Sequence, residues 1–339
     1  MHRFTFTPAP TARLAAAMGV VVLLAACGSP GSSDSGAQDT STTAASGLEV
    51  CEAVPGDTLV ALEDDQNLQN PDNIIPAVNG AAAAEDPELI ELLNSVSAVL
   101  DTEGLVALNK AVDVDRQTSA QAAQAFVEEQ GLAATEQVGE GRQIVVGSQN
   151  FSEGATLANI YAEVLSSAGY DASTQDVGNR ELYLTDLESG SVTVLPEYVS
   201  TLTEFLNVKA NGEGAEPVAT PDLDATMTEL TTLAEGVGIV VGEPAEAQDQ
   251  NAFVVTEAFA TEHDLTTLTD LAETCGGVVL GGPPECPERP FCQVGLEDTY
   301  GIEIAEFTSL DAGGPLTKEA LKSGTVTLGL VFSSDAALA

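Results

Sequence analysis

An α/β fold is the class this sequence predicts, and three observations predict it. Strand-like and helix-like segments alternate along most of the chain after residue 58. Apolar residues make up 44% of the 339 positions, enough for a sizeable core. Aromatic residues reach only 4% and tryptophan is absent, so that core rests on Ala, Val, Leu and Ile. The length suits one large two-lobed domain or two ordinary ones.

The elements follow in order. Leu59–Glu63 reads as a short strand, followed by a polar loop from Gln66 to Asn73 that contains Pro71. Three helices come next with no strand between them. In Pro87–Leu100, Leu89, Leu92, Leu93, Val96 and Leu100 recur at helical spacing, with Pro87 in the first turn. Thr102 is the expected cap of a helix to about Ala111, and Ser119 of a helix to Gln130 that Gly131 stops. Residues 132–142 read as a linker. Gln143–Gly147 is a buried-type strand, and Ala155–Ala168 an amphipathic helix ended by Gly169. Alternation continues with strands at Ala172–Gln175 and Val192–Leu195 around a helix at Arg180–Ser189. Pro221–Ala234 is expected as a helix, and Gly238–Val241 and Phe253–Thr256 as strands. Helices at Thr267–Glu273, Val294–Tyr300 and Leu316–Lys322 interleave with strands at Val278–Gly281, Glu303–Phe307 and Thr327–Phe332.

The charge balance excludes one class of partner. With 53 acidic residues against 10 basic, net −43, the surface repels phosphate backbones, so no nucleic-acid partner is expected. The N-terminus reads as a targeting segment: Arg3 and Arg13 precede a short apolar run from Leu14 to Ala26. That run ends in Leu24-Ala25-Ala26-Cys27, which matches the lipobox of bacterial lipoproteins. Small side chains there fit the peptidase, and the Cys27 thiol takes the lipid. A signal peptide over 1–26, lipidation at Cys27 and a flexible Ser/Gly-rich tether to residue 57 are therefore expected, holding the protein outside the cell membrane by its lipid. Cys51, Cys275, Cys286 and Cys292 remain, an even number in an exported chain. A local Cys286–Cys292 bridge across the Pro-rich loop leaves Cys51 with Cys275. A zinc site is the rival, opposed by the lack of CxxC spacing and by a single histidine, His263, after the targeting segment.

Enzyme signatures are missing: no GxSxG, P-loop or HExxH occurs, and a triad would have to use His263, at an expected surface helix end. No enzyme activity, cofactor or metal is expected. Acidic pairs such as Asp64-Asp65 read as solvated loops. Four stretches carry a resemblance instead. Gly147-Ser148-Gln149-Asn150-Phe151-Ser152-Glu153 follows a strand. Further on stand Pro196-Glu197-Tyr198-Val199-Ser200-Thr201, Leu310-Asp311-Ala312-Gly313-Gly314-Pro315-Leu316 and Gly329-Leu330-Val331-Phe332-Ser333-Ser334-Asp335. In this order they resemble the glycine betaine/carnitine/choline class of ABC-importer substrate-binding proteins, over about residues 143–339. That resemblance implies a two-lobed periplasmic-binding-protein type II fold that closes on a small osmoprotectant-like solute. It also implies two partners, an ABC permease and its ATPase subunit.

The family's C-terminal part is found at the start of this chain, in Leu59-Val60-Ala61-Leu62-Glu63-Asp64-Asp65, Pro71–Pro76 and Leu105–Val114. The resemblance therefore implies a circular permutation, with the family's end at 58–131, a linker at 132–142 and the main part at 143–339; an unrelated N-terminal helical domain is the rival. Within the cleft, Tyr198 matches a cage tyrosine that meets a quaternary ammonium by cation–π attraction, and Thr201 a hydrogen-bonding hydroxyl. Ser148 and Asn150 lie where a helix N-terminus can meet a carboxylate, while Glu153 opposes an anion there and is assigned to capping. Asn251 replaces a family tyrosine, Phe291 and Tyr300 are candidate replacement rings, and Asp311 completes the candidate set. Tyr161, Tyr170 and Tyr183 are expected in the core. A different polar solute, a sensor or adaptor role, a surface hydrolase and a structural envelope lipoprotein are the competing readings.

Overall fold

A computed structural model describes residues 49–339 apart from 213, 337 and 339. The expected signal peptide, the lipidation at Cys27 and the tether through residue 48 lie outside the described residues. Residues 49–57, counted above with the tether, lie against the domain. Cys51 N donates to the Gly277 carbonyl at 2.9 Å, and Gly56 N to that of Lys322 at 3.1 Å. Neither period 2 nor period 3.6 marks this stretch, so its sequence reads as tether.

The first strand, β1 (Leu59–Ala61), belongs to lobe II, and the chain then crosses at once into lobe I. There it forms β2 (Ile74–Asn79), α1 (Gly80–Glu85), α2 (Pro87–Ser97), α3 (Thr102–Asp113) and α4 (Ser119–Gln130). After the linker come β3 (Gln143–Gln149), α5 (Ser152–Ser167), β4 (Asp171–Gly178), α6 (Arg180–Ser189) and β5 (Val194–Tyr198). Lobe I ends with α7 (Val199–Asn211), α8 (Leu223–Gly236) and β6 (Ile239–Val241). A second crossing returns to lobe II with β7 (Asn251–Thr256), α9 (Glu257–His263), α10 (Leu268–Thr274) and β8 (Val278–Gly282). A short turn α11 (Gln293–Gly295), then β9 (Ile304–Ser309), α12 (Pro315–Lys322) and β10 (Leu328–Phe332) complete it.

Each lobe is built on a five-stranded mixed sheet, ordered β4-β3-β5-β2-β6 in lobe I and β1-β7-β10-β8-β9 in lobe II. The strands β4, β3 and β5 run parallel, as do β10, β8 and β9, while β2 and β7 are antiparallel to their neighbours. Lobe I is covered on both faces. Leu93, Phe126, Leu157 and Tyr161 join Val146 and Val194 in one apolar cluster, and Leu184, Leu202 and Leu230 join Ile75 and Leu195 in another. Tyr161, Tyr170 and Tyr183 are buried. Lobe II closes around Phe253, Phe259, Leu271, Leu280 and Leu328. Two disulfides staple it: Cys51 to Cys275 and Cys286 to Cys292. Those thiols are thereby consumed, which removes the zinc reading.

The structure corrects the sequence reading at several elements. β2 falls in the stretch left unassigned between the Gln66–Asn73 loop and the helix at Pro87, and its Pro76 is a poor residue for a central strand. The register accommodates it: Pro76 lies opposite Pro196 of β5, and the bonds from Val199 N to the Asn73 carbonyl and from Asn79 N to the Thr193 carbonyl make theirs a pair whose amide positions do not point at each other. α1 fell in the same gap. α7 was missed because it starts directly after β5, with no turn residue to mark the switch. The caps shift slightly: Asp101 and Thr118 accept from first-turn amides where Thr102 and Ser119 were expected to cap, Asp222 caps the helix expected to begin at Pro221, and Thr267, expected as a first helical residue, is itself the cap.

Candidate functional site

The two lobes meet where their parallel strands end, the place where open α/β sheets present ligand sites. From lobe I come the ends of β3 and β5, and from lobe II the end of β10. Phe151 follows β3 and begins α5; Tyr198 is the last residue of β5; Phe332 is the last of β10. Their rings form a row across the interface, Tyr198 to Phe151 at 6.2 Å between centroids and Phe151 to Phe332 at 5.3 Å. Phe151 and Phe332 are half-buried, so both keep ring surface open. Gly313, with φ +68°, passes so close to Phe332 that a Cβ there would lie 3.1 Å from the ring.

Beneath Tyr198 lies a buried carboxyl cluster. Its phenol donates to Glu153 Oε1 at 2.6 Å. Glu153 Oε2 accepts from Asn109 Nδ2 at 2.6 Å and from Ser334 Oγ at 2.7 Å. Ser334 belongs to lobe II, so this cluster also joins the lobes. Asp249, on the return crossing, accepts from the Ser334 amide at 2.9 Å. Burial, with Glu153 beside it, holds the Asp249 carboxyl well above the usual carboxylate range. Glu153 is therefore a buried acceptor and not the helix cap expected from its position. Asp249 is buried and hydrogen-bonded.

A second buried group lies at the start of α6 and α7. Arg180 and Glu197 form a two-point ion pair, Nε to Oε1 at 3.0 Å and Nη2 to Oε2 at 2.6 Å, and Tyr183 donates to the same carboxylate at 2.6 Å. The Thr201 hydroxyl accepts from Arg180 Nη2 at 3.1 Å. Asp72, on the first crossing, accepts from the Ser200 and Thr201 amides at 2.7 and 3.2 Å. Desolvation pushes its carboxyl up to about 7 despite those bonds.

The remaining candidate residues lie in different settings. Ser148 is buried on β3, its hydroxyl 3.5 Å from the Gln175 carbonyl, and Asn150 is exposed. Asn251 Nδ2 donates to the Phe291 carbonyl at 2.8 Å, which also accepts from Gln69 Nε2 at 2.9 Å. Tyr300 donates to Asp64 and accepts from the Gln66 amide, so its hydroxyl ties the first crossing to lobe II. Asp64 also accepts from the Leu68 and Gln69 amides; it organises a turn where a solvated loop was expected. A cavity of about 290 Å³ opens beside these groups, lined by Asp64, Asn67, Gln69, Gln250 and Asn251. Asp311 accepts from the Leu316 and Thr317 amides, each at 2.9 Å, and caps α12. His263 stacks on Phe259 at 4.5 Å within lobe II. Among the described residues no group of His, Cys, Asp and Glu is placed to hold a metal ion, and no helix is long and apolar enough to cross a membrane.

Phe151, Phe332, Arg180 and Asp72 escaped the sequence reading as site residues. The two phenylalanines stand inside motifs quoted for the resemblance, each directly at a strand end, and that position was the available signal. Arg180 and Asp72 gave none, because their partners lie on other elements.

Two mixed α/β lobes whose strand ends meet at aromatic rings are the architecture of the periplasmic-binding type II class of solute-binding proteins. The chain belongs to the family described as the substrate-binding domain of ABC-type glycine betaine transport systems, whose profile matches residues 53–129 and 142–339. Members of this family bind solutes and are not enzymes. The glycine betaine-binding protein YehZ of Escherichia coli strain K12 is 25% identical over 211 residues, 58% of this chain and 66% of that protein, a little under two thirds of its length. Among solved structures, one titled as a glycine betaine/carnitine/choline ABC transporter matches at 16% identity and a TM-score of 0.35, covering 58% of this chain and 70% of that one. The Haemophilus influenzae OppA complex with the peptide RPPGFSPFR matches at 11% identity and a TM-score of 0.27, over 55% and 44%. Superpositions this loose identify no ligand.

Proposed function

We propose that this chain is the extracytoplasmic solute-binding component of an ABC importer, and that it captures an osmoprotectant of the glycine betaine, choline or carnitine class. The observation that carries this reading is the ring row Tyr198–Phe151–Phe332, which joins the lobes in a member of this family. A quaternary ammonium cannot donate a hydrogen bond; aromatic faces hold it by roughly 0.5–2 kcal/mol each. Closure of the lobes on the solute presents the closed form to a permease, whose ATPase subunit drives release. The Leu24–Cys27 motif supports a lipid anchor on Cys27 in the cell membrane. Ser148, Asn150, Thr201, Asn251, Phe291, Tyr300 and Asp311 are proposed with Tyr198 as the wider ligand-binding set.

The order of the chain is proposed to be a circular permutation of the family. Two separate stretches match its profile, one on each side of the linker. Leu338 packs against the cluster that holds Leu59, so the strands on either side of the proposed family junction share one core.

A thermal-shift screen of the chain from Gly28 against betaine, choline, carnitine, ectoine and proline tests the function. At a hundred times its dissociation constant a ligand adds about 2.7 kcal/mol of stability. A rise in melting temperature with a quaternary ammonium supports the reading; a rise only with the other solutes removes the ammonium ligand.

A further inference from the structure

We infer that Glu153 sets the preference of this site for a positively charged headgroup, by holding a carboxylate behind the ring of Tyr198. The inference rests on the reading of the cleft as a quaternary-ammonium site and names the residue that would make it selective. A trimethylammonium and a tert-butyl group have nearly the same size and shape. An aromatic wall removes both from water equally well, so only electrostatics separates them.

The geometry supplies that electrostatic difference. Glu153 is 3% exposed, and it accepts from the Tyr198 phenol, the Asn109 amide and the Ser334 hydroxyl at 2.6, 2.6 and 2.7 Å. All three bonds run toward the carboxyl group, the acceptor role that a carboxylate fills. Among the described residues those three donors are neutral. Arg180 is paired with Glu197 and Lys318 with Asp335, while burial, with Glu153 beside it, favours the neutral form of Asp249. The cluster therefore keeps one negative charge without a cation to offset it, in a place where such a charge is costly. A cation at the ring face recovers part of that cost; a neutral group of the same shape does not. The hydrogen bond from phenol to carboxylate also leaves the Tyr198 ring richer in electrons, which strengthens its attraction for a cation.

Calorimetric titration with glycine betaine and with 3,3-dimethylbutanoate tests this. The two share a carboxylate and a shape and differ by nitrogen against carbon. The wild-type chain is expected to prefer glycine betaine. In Glu153→Gln the ratio of the two dissociation constants falls by about tenfold, while binding of 3,3-dimethylbutanoate stays within about twofold. If both ligands weaken together and the ratio holds, Glu153 is only structural and the inference is overturned. Tyr198→Phe, which keeps the ring and cuts its link to the carboxylate, is the second variant should Glu153→Gln fail to fold. It lowers the same ratio severalfold, and an unchanged ratio again overturns the inference. A wild-type chain that binds neither glycine betaine nor choline takes down the ammonium reading and this inference together; betaine binding with an unaltered ratio takes down the inference alone.

Discussion

Arg289 of lobe II reaches across to Glu181 in the first turn of α6 in lobe I, with Nη2 3.0 Å from each carboxylate oxygen and Nε 3.2 Å from one. The arginine stands on the loop that the Cys286–Cys292 disulfide closes, so its backbone is held in place before the lobes meet. Both lobes carry the strong negative charge of the sequence, and their mutual repulsion favours separation. A cation shared between them opposes it.

Arg289→Ala is expected to weaken solute binding severalfold. Both partners are about a third exposed, so the pair is worth about 0.2–1 kcal/mol after solvent screening. The exchanged pair Arg289→Glu with Glu181→Arg should restore most of the affinity, measured by calorimetry at low salt. A double exchange no better than either single change would count against a direct interaction.

Asp72 gives the fold a pH dependence of defined sign. Its carboxyl moves from an ordinary value of 3.8 to about 7 in the folded protein, chiefly through desolvation. The folded state therefore favours the protonated form. This contribution is fully present below pH 3.8, declines as pH rises toward 7, and is absent above it. Its size is on the order of 4 kcal/mol. Asp72→Asn cannot ionise and keeps an oxygen for the Ser200 and Thr201 amides. In urea titrations it should be more stable than wild type at pH 8 and lose that advantage at pH 4; equal stability at both values would contradict the assignment.

The two disulfides should differ in what they contribute. Cys51–Cys275 closes a loop of sequence separation 224, and Cys286–Cys292 one of separation 6. Loop-closure entropy makes the first worth about 5 kcal/mol and the second about 2 kcal/mol in the unfolded-chain account. Replacing Cys51 and Cys275 by serine should lower the melting temperature more than replacing Cys286 and Cys292. The second pair should instead show in affinity, because it frames Arg289.

A chain reordered to start at Gln143, run through Leu338, and continue by a short linker into Glu49–Gln130, so that the Cys51–Cys275 disulfide is kept, tests the permutation. It should fold and bind with an affinity close to that of the natural order. Failure to fold in several linker lengths would favour an independent N-terminal unit.

Most of the architecture was legible from hydrophobic spacing. α2 and α5 carry long apolar faces, and β3 and β8 are short buried runs beside glycines. β2 was not legible, since nothing local reveals that Pro76 will face Pro196. The site was readable only as motifs. Tyr198 could be singled out from its stretch, but Glu153 looked like a first-turn acid; its partners Asn109 and Ser334 lie 44 and 181 residues away. Buried polar clusters assembled from three elements leave no periodic trace in any one of them.

Titration of the chain from Gly28 with glycine betaine, followed by calorimetry and by small-angle scattering, bears most directly on the central claim. One molecule should bind per chain, with a fall in radius of gyration as the lobes close, and Phe332→Ala should weaken binding by about two- to thirtyfold while the chain stays folded. No heat and no compaction with glycine betaine, choline or carnitine at millimolar concentration would contradict it.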